Sequence, residues 1–230
     1  MKDWVPAKAP EGAVLEGRHI TCVPFRVEAH ASSLHNACAP GGEKLWEFMP
    51  WGPFSSAAAF HRKMAELTAD PAWHYYALCD PASGRALGKA AYLRAVPAHG
   101  VIEVGGITFS PPLQKSPAAT EAMVLMMGWA FANGYRRYEW KCNALNLSSR
   151  RAAQRLGFSF EGVFRQHLVV KGKNRDTAWF AVTDQEWPAL REAYEFWLSP
   201  SNLRADGRQK ERLSALTSLV RVSADPLIGP

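Results

Sequence analysis

Two segments of this sequence join a strand-like stretch to a helix-like one and carry groups that suit an anion. In the first, residues 108–123, a strand is predicted to end at Phe109 and a helix to begin at Pro117, with Ser116 as its N-cap. Lys115 adds a full positive charge at the junction. The next backbone amides carry only small side chains, and they belong to Ala118, Ala119 and Thr120. The junction therefore suits a phosphate group, although an ordinary buried helix start has the same pattern.

The second segment, residues 143–158, leads from a strand end into a short cationic helix. Asn146 and Ser149 are polar groups placed where the strand stops. Arg151 and Arg155 are four residues apart and so share one helix face. These groups are candidates for a ligand site, with plain helix caps and a solvated cationic face as the alternative.

Together the two segments resemble the cofactor motifs of the GNAT superfamily of N-acetyltransferases. Q-x-x-P-A-A at 114–119 resembles the superfamily's Q/R-x-x-G-x-G/A pyrophosphate loop, and N-x-x-S-x-x-x-x-x-x-L-G-F at 146–158 resembles its second cofactor motif. Residues 161–187 are similar to the branch that contains ribosomal-protein N-terminal acetyltransferases. The resemblance covers roughly residues 15–190. Pro117 departs from it, because it replaces the loop's usual first glycine and removes one amide donor.

The resemblance implies an enzyme that transfers an acetyl group from acetyl-CoA to a primary amine. The acceptor is a peptide N-terminus or a small amine, which attacks the thioester directly in a ternary complex. No metal is implied. The residues implied to bind the cofactor are Phe109, Gln114, Lys115, Ser116, Ala118, Ala119, Thr120, Asn146 and Ser149.

Acetyl transfer needs a neutral amine, a donor to the developing oxyanion and an acid for the leaving thiolate. By the resemblance, the backbone N–H near Phe109 is the oxyanion donor and Ser149 the acid. Glu103, on the strand that leads into the first junction, is the candidate base and also lines the acceptor site. The alternatives are that Glu103 is an exposed strand residue paired with a lysine, and that Ser149 is only a cap.

An aromatic, proline-rich stretch at 45–54 is the candidate acceptor pocket. Its side chains Trp46, Trp51 and Phe54 are predicted to bind the acceptor, since this region diverges within the superfamily. The alternative is that these rings cover the core.

The elements that must position these groups read as strands followed by alternating strands and helices. Strands are predicted at 73–79, 86–95, 101–109, 135–142 and 176–182, and helices at 117–132, 148–156, 187–198 and 208–219. This order predicts an α/β (α+β) fold with a mixed central sheet. The resemblance makes that sheet mostly antiparallel, in one domain over residues 15–190. Residues 1–14 are predicted to be a mobile arm, and 191–230 a helical tail that covers the acceptor cleft or forms a homodimer contact.

The composition is typical of a globular protein and argues against several other classes of protein. The 230 residues include 27 Lys+Arg and 21 Asp+Glu, a formal charge of +6, and 47% of the residues are apolar, as in ordinary globular proteins. No apolar run is long enough for a membrane span. Four scattered cysteines without a CxxC pair, and a start without a secretory pattern, favour the cytoplasm and disfavour disulfides and zinc.

Two other functions remain open on the sequence. The basic balance and the arginines near 136–155 allow a ribosome- or nucleic-acid-binding module, although no nucleic-acid motif supports it, and nucleic acid is therefore not the expected partner. Pro117 allows an acyl-CoA-binding protein without catalysis.

Overall fold

One eight-stranded sheet forms the centre of the computed structural model, which describes residues 4–206 and 208–229. The strand order is β1-β2-β3-β4-β5-β6-β8-β7, and only β5 and β6 run parallel. The strands are β1 Leu15–Glu16, β2 Thr21–Pro24, β3 Trp73–Cys79, β4 Ala86–Val96, β5 Val101–Phe109, β6 Arg137–Asn143, β7 Ser159–Val170 and β8 Lys173–Thr183. The mixed, mostly antiparallel sheet that we expected is confirmed.

Helices cover both faces of this sheet. They are α1 Val27–Cys38, α2 Ala57–Thr68, α3 Pro117–Ala132, α4 Leu147–Arg155, α5 Trp187–Leu198 and α6 Leu213–Thr217. Helices α1 and α2 pack against β3 and β4 on one face, while α3, α4 and α5 lie on the other. None of the helices in the described residues is long and apolar enough to span a membrane.

Strand β6 has the alternation that its sequence predicts. Tyr138, Trp140 and Cys142 are buried in the core cluster that contains α3. Glu139 and Lys141 occupy the opposite face, where they form ion pairs rather than facing open water. One strand therefore carries an apolar face toward α3 and a charged face toward the other side of the sheet.

Helix α3 begins and ends where local signals predict. Ser116 caps it, because its Oγ accepts the Ala119 N–H at 3.1 Å. Gly134, with φ +89°, follows the helix in the left-handed conformation that favours glycine. Its buried side chains include Met123, Met126 and Met127, so the helix that carries the first junction is anchored in the core.

The predicted N-terminal arm differs from the structure in its described part. The Trp4 indole donates to the Ala98 carbonyl at 2.8 Å, and the Ala7 N–H donates to Pro97 at 3.1 Å. Ala7 belongs to the main core cluster. The segment from Trp4 to Lys8 is thus held against the domain by hydrogen bonds that its Pro- and Ala-rich sequence does not predict. Residues 1–3 of the predicted arm lie outside the described part.

The C-terminal tail also belongs to the main core. Helix α5 begins at Trp187, so the expected boundary at residue 190 falls inside a helix. Tyr194 and Trp197 are buried with the sheet. The helix expected over 208–219 is limited to Leu213–Thr217. The tail therefore packs against α4 and contributes to the main core, where its aromatic side chains contact other residues of this chain.

Candidate active site

Strands β5 and β6 separate before either of them ends. Their parallel pairing runs from Val101–Arg137 to Val104–Trp140 and then stops. Beyond that point β5 continues to Phe109 and β6 to Asn143. We call the space between these two strand edges the opening. In the superfamily that the sequence resembles, the thioester is expected to lie between these two strands.

A β-bulge lies on β5 at the start of the opening. Ala91 pairs with Gly105 and Lys89 with Thr108, so β5 has one extra residue there. Gly106 has φ +58°, and a Cβ on it would lie 3.1 Å from Tyr75 Cε1. Both the backbone conformation and the close approach of the ring favour glycine at this position.

The Phe109 amide faces the opening. The Ser110 N–H donates to the Leu87 carbonyl at 3.1 Å, which makes Gly88 and Phe109 a non-hydrogen-bonded pair of the β4–β5 ladder. In such a pair the N–H and C=O of Phe109 point away from β4. This orientation agrees with the predicted oxyanion donor. The Phe109 carbonyl accepts the Gln114 Nε2 at 2.9 Å, so the side chain of Gln114 supports the strand end.

The amides of the first junction are partly used inside the fold. The Ala119 N–H donates to Ser116 Oγ, and the Thr120 N–H donates to the Ser116 carbonyl at 3.4 Å. Of the predicted phosphate amides, only that of Ala118 lacks a partner among the described residues, and so does the amide of Lys115. Lys115 is exposed and has φ +57°. The amides without partners at this junction are therefore those of Lys115 and Ala118 rather than those of Ala118–Thr120, because Ser116 caps the helix.

In the second junction, the two predicted ligand groups also serve the local fold. Asn146 Oδ1 accepts the Ser149 N–H at 3.1 Å as the cap of α4. Ser149 Oγ accepts the Trp140 Nε1–H at 3.0 Å, and its hydroxyl also hydrogen-bonds the neighbouring Cys142 side chain. Cys142 lies beside Ser149, and burial raises the pKa of its thiol to about 11. A thiol of this kind is not a nucleophile near neutral pH.

The arginines of α4 do not form a purely solvated face. Arg155 Nη1 donates to Thr120 Oγ1 at 3.0 Å, and its guanidinium lies 5.0 Å from the Trp197 ring centroid. Arg150 is only 1% exposed and pairs with Asp225 in the tail. These contacts join helix α4 to α3 and to the tail, and the sequence pattern does not predict them.

Glu103 is buried among cations. It is 3% exposed, and its Oε2 lies 2.7 Å from Arg94 Nη1 and 2.9 Å from Lys141 Nζ. Lys141 also reaches Glu139 Oε2 at 2.7 Å and lies 3.9 Å from the Trp179 ring centroid. The alternative for Glu103 was an exposed residue paired with a lysine. The ion pair with Lys141 is present, but Glu103 is buried rather than exposed. A proton on Glu103 would weaken both ion pairs, and this weighs against its predicted role as base.

The aromatic stretch lies largely in the second core cluster, beside α1 and α2. Trp46 and Trp51 are 6% and 8% exposed. Phe54 is partly exposed, packs edge-on against Trp46 with centroids 5.0 Å apart, and lines a surface cavity of about 470 Å³. The rings of Trp46 and Trp51 therefore pack against the core, because β3 and β4 offer them apolar partners, while Trp46 also lines the cavity and Nε1 of Trp51 has no hydrogen-bond partner in the described residues.

The β7–β8 hairpin reaches across to this stretch. Lys171, at its tip, donates to the Trp46 carbonyl at 3.0 Å. Near the hairpin's bulge, His167 Nδ1 lies 3.0 Å from Thr177 Oγ1. The Lys171 contact joins the hairpin to the 45–54 stretch. We call the hairpin one wall on this side of the sheet, and the 45–54 stretch with the β3 side chains packed on it the other wall.

Several buried polar atoms on this side of the sheet have no hydrogen-bond partner in the described residues. On one wall they are the Nε1 of Trp51 and the hydroxyl of Tyr75, and on the other they are Nε of Arg175 and Nε1 of Trp179. Tyr75 approaches Gly106, while Trp179 contacts Lys141, which pairs with Glu103. These contacts connect both sets to β5 and β6 at the base of the opening. Sequence reasoning named Trp51 but missed Tyr75, Arg175 and Trp179, because nothing in the sequence marks an atom as unpartnered.

Metal ligation has no support in the described part of the chain. No group of three or more His, Cys, Asp or Glu side chains converges there. Cys22, Cys38, Cys79 and Cys142 are all free and buried.

Comparison with known proteins gives one consistent result. The family model "Acetyltransferase (GNAT) domain" matches residues 19–159. A GCN5-related N-acetyltransferase from Brucella melitensis shares 42% identity and superposes with a TM-score of 0.91, over 95% of this chain and 100% of that one. A probable GNAT-family acetyltransferase from Chromobacterium violaceum shares 40% identity with a TM-score of 0.78, over 82% of this chain and 95% of that one.

A more distant structure shows the same fold. RimL, a ribosomal L7/L12 alpha-N-protein acetyltransferase, shares 17% identity with a TM-score of 0.63, over 78% of this chain and 99% of that one. No curated protein matches the chain.

Proposed function

Because the chain belongs to the GNAT acetyltransferase family, we propose that it transfers the acetyl group of acetyl-CoA directly to a primary amine in a ternary complex. The observation that carries this proposal is the opening, where β5 and β6 stop pairing after Val104–Trp140. Strand edges that face each other without pairing leave room for an extended ligand and offer it backbone hydrogen-bonding groups.

In the proposed reaction, the amine nitrogen attacks the thioester carbonyl carbon. The C–N bond forms, the C–S bond breaks, and the thiolate of CoA leaves. The amine loses one proton and the thiolate gains one, so that the products are an amide and free CoA thiol. The amide of Phe109, which points away from β4, donates to the oxygen as negative charge develops on it.

The first junction is proposed to hold the diphosphate. The amides of Lys115 and Ala118 and the Lys115 ammonium offer donors and charge at the start of α3. Gln114, Ser116, Ala119 and Thr120 then build the loop, through the contacts described above. Asn146 shapes the second junction, and the hydroxyl of Ser149 is proposed as the proton donor to the thiolate.

Glu103 receives a different role from the one that the sequence predicts. Its contacts with Arg94 and Lys141, and the contact of Lys141 with Glu139, form a cluster of two carboxylates and two cations, which we propose lies on the acceptor side of β5 and β6. We propose that this set fixes Lys141 and orients the acceptor, while the amine's proton leaves through water in the acceptor cleft.

The acceptor is proposed to carry oxygen atoms next to its amine, as a peptide N-terminus does. The buried groups without partners on this side include N–H donors on both walls, from Trp51, Arg175 and Trp179. Peptide carbonyl oxygens can satisfy such donors, whereas a polyamine offers only more N–H groups and positive charge. RimL, with the same fold, is named for acetylation of a protein α-amine.

An acceptor panel tests both parts of the proposal. With acetyl-CoA fixed, release of free CoA thiol is followed for a short peptide with a free N-terminus, the same peptide with a blocked N-terminus, and spermidine. We expect release and a mass gain of one acetyl group only with the free N-terminus. Faster release with spermidine would refute the acceptor class. Tight CoA binding without release for any amine would instead support the non-catalytic alternative.

A further inference from the structure

Six charged side chains on the face of the sheet that carries the two walls neutralise one another. Glu103 pairs directly with Glu139, and Lys141 pairs directly with Trp179 of the hairpin wall, so these side chains share that face. Ion pairs join them to further partners in one set. The set contains three carboxylates and three cations, so its formal charges cancel, and its members are Glu103, Glu139, Glu161, Arg94, Arg137 and Lys141.

Two further cations on this face have no carboxylate partner. Lys89, on β4, is 1% exposed; its Nζ donates to the Gly106 carbonyl at 2.9 Å and lies 4.6 Å from the ring centroids of both Trp51 and Tyr75. Arg175, on β8, is half-buried, and its Nε has no hydrogen-bond partner in the described residues. Neither cation forms an ion pair with a described residue.

Both unpaired cations lie beside the opening. Lys89 holds the carbonyl of Gly106, which lies on β5 beyond the last residue pair with β6. Arg175 interacts electrostatically with Cys142, which lies on β6 beyond the same last pair, and with Glu103. Glu103 already has two cationic partners and does not neutralise Arg175. One unpaired cation therefore lies on the β5 side of the opening and one on the β6 side.

The polar groups without partners around these cations can all donate hydrogen bonds. Nε1 of Trp51 and of Trp179 is a donor only, and the hydroxyls of Tyr75 and Thr108 each carry a proton. Thr108 pairs directly with Lys89 on the neighbouring strand. Buried donors next to unpaired positive charge are satisfied by oxygen atoms that carry negative charge.

Burial acts against the charge of both cations. It lowers the pKa of the Lys89 ammonium to about 7, with Cys38 opposing the shift, and it lowers the pKa of the Arg175 guanidinium. A carboxylate close to either group favours its charged form and offsets the cost of burial. A polyamine or a lysine side chain would instead meet like charges there.

We infer that the acceptor is an acidic peptide, whose N-terminal amine enters the opening while a carboxylate side chain in its first three residues binds Arg175. This inference rests on the proposed function and deepens it by naming the class of peptide. Arg175 is the main partner, because it is half-exposed and its guanidinium can hold a carboxylate with two hydrogen bonds. Lys89, which is almost fully covered, adds positive charge from the other side of the opening.

The test compares the binding of matched peptides to the wild-type protein saturated with CoA, which cannot transfer an acetyl group. The peptides have a free N-terminus, an amidated C-terminus, and glutamate, glutamine or lysine at the second position. Titration calorimetry at pH 6.5 and low salt should give a dissociation constant about tenfold lower for the glutamate peptide than for the glutamine peptide, as a charge-assisted hydrogen bond contributes. The lysine peptide should bind most weakly. Equal dissociation constants for the glutamate and glutamine peptides would overturn the inference, and this comparison needs no variant.

Two variants assign the preference to its residue. In Arg175→Gln the dissociation constant of the glutamate peptide should rise about tenfold and that of the glutamine peptide less than about twofold. Arg191→Gln is the matched control, because Arg191 is an exposed arginine on α5 that pairs with Glu195; it should change neither constant. A tenfold preference for glutamate that persists in Arg175→Gln would overturn the role of Arg175.

Two further outcomes separate this inference from other readings. Free glutamate carries an amine and a carboxylate without a following peptide group, and it should bind more weakly than the glutamate peptide. Tighter binding of free glutamate would overturn the assignment to a peptide. If acetyl-CoA and the glutamate peptide give no acetylated product, the proposed function fails, while the binding comparison still decides whether the site prefers an acid.

Discussion

The guanidinium of Arg150 and the carboxylate of Asp225 form two parallel hydrogen bonds across 75 residues of sequence. Nε–Oδ2 and Nη2–Oδ1 are both 2.5 Å, and the two side chains are 2% and 0% exposed. Arg150 also donates to the Ala144 carbonyl at 2.8 Å. The tail is therefore bound to the helix that begins at the second junction, at a buried site where solvent does not weaken the pair.

Replacing Asp225 with Asn should destabilise the protein strongly. The substitution leaves the buried charge of Arg150 without a counter-charge, and breaking such a pair costs about 3–5 kcal/mol. Urea unfolding followed by circular dichroism measures the change. Asp206→Asn is the matched control, because Asp206 is exposed and lies 3.7 Å from Arg208 Nε; it should change stability by less than about 0.5 kcal/mol. Equal stability of the two variants would contradict the prediction.

Lys115→Ala should weaken CoA binding in a salt-dependent manner. Lys115 is exposed, so its contribution is screened as ionic strength rises. We expect the dissociation constant to rise about three- to tenfold at low salt, as one charge-assisted contact is lost. Titration calorimetry at two salt concentrations measures this, with Lys8→Ala as a control in an exposed position. The same dissociation constant for Lys115→Ala and the wild type would place the phosphates elsewhere.

Glu103→Gln distinguishes a base from an ion-pair partner. Because Arg94 and Lys141 both contact Glu103, we expect a stability loss of about 1–3 kcal/mol. The ratio of mutant to wild-type kcat should stay constant from pH 6.5 to 9. A ratio that climbs toward one at high pH, where the acceptor amine is already neutral, would restore Glu103 as the base. Glu66→Gln, on the exposed side of α2, is the control.

Gly106→Ala should impair the enzyme more than Gly84→Ala does. Both glycines have φ near +60°, so both substitutions carry a similar backbone cost of about 1 kcal/mol. Only at Gly106 would the new Cβ also meet Tyr75 Cε1, at 3.1 Å, since Gly84 has nothing within 4 Å. We expect a lower melting temperature and a lower kcat for Gly106→Ala relative to Gly84→Ala. Matching values would show that the bulge accommodates a methyl group.

Stability should rise with pH above 7 because of Lys89. Its pKa is about 7 in the folded chain and 10.5 when unperturbed, so between these values the unfolded state binds the proton that the folded state lacks. The free energy of unfolding then increases by up to about 1.4 kcal/mol per pH unit, and below pH 7 this contribution is constant. Between pH 7.5 and 8.5, the wild type should gain about 1 kcal/mol relative to Lys89→Met. A difference in the free energy of unfolding between the two proteins that is the same at pH 7.5 and pH 8.5, measured by urea unfolding, would exclude the pKa shift.

Local patterns predicted the elements around the opening well. Strands β3 and β5 and helices α3 and α5 have the bounds that the sequence predicts, because alternation, capping residues and Asn133–Gly134 act over a few residues. The strand-to-helix junction that ends β5 and begins α3 was also predicted, but two of the amides proposed to be free there, those of Ala119 and Thr120, donate to Ser116. A sequence pattern shows that Ser116 can cap a helix, but only the structure shows that its Oγ takes the Ala119 amide.

The buried charges could not be predicted in the same way. Lys89 stands in a strand with no signal that separates it from an exposed lysine, and its partners, Trp51, Tyr75 and Gly106, come from three other segments. The Arg150–Asp225 pair is equally remote in sequence. Such contacts depend on which elements pack together, and no single stretch of the chain contains that information.

Under the proposed function, the early end of the β5–β6 pairing leaves a gap in the sheet that the substrate fills. Strands β1–β5 and β6–β8 share only four directly paired residues on each side of the junction. An extended ligand that enters there takes the position of an interleaved strand and gives both edges the partners that they lack. Binding of this ligand then also makes the sheet more rigid, because the same molecule that is to be cleaved joins the two halves of the protein.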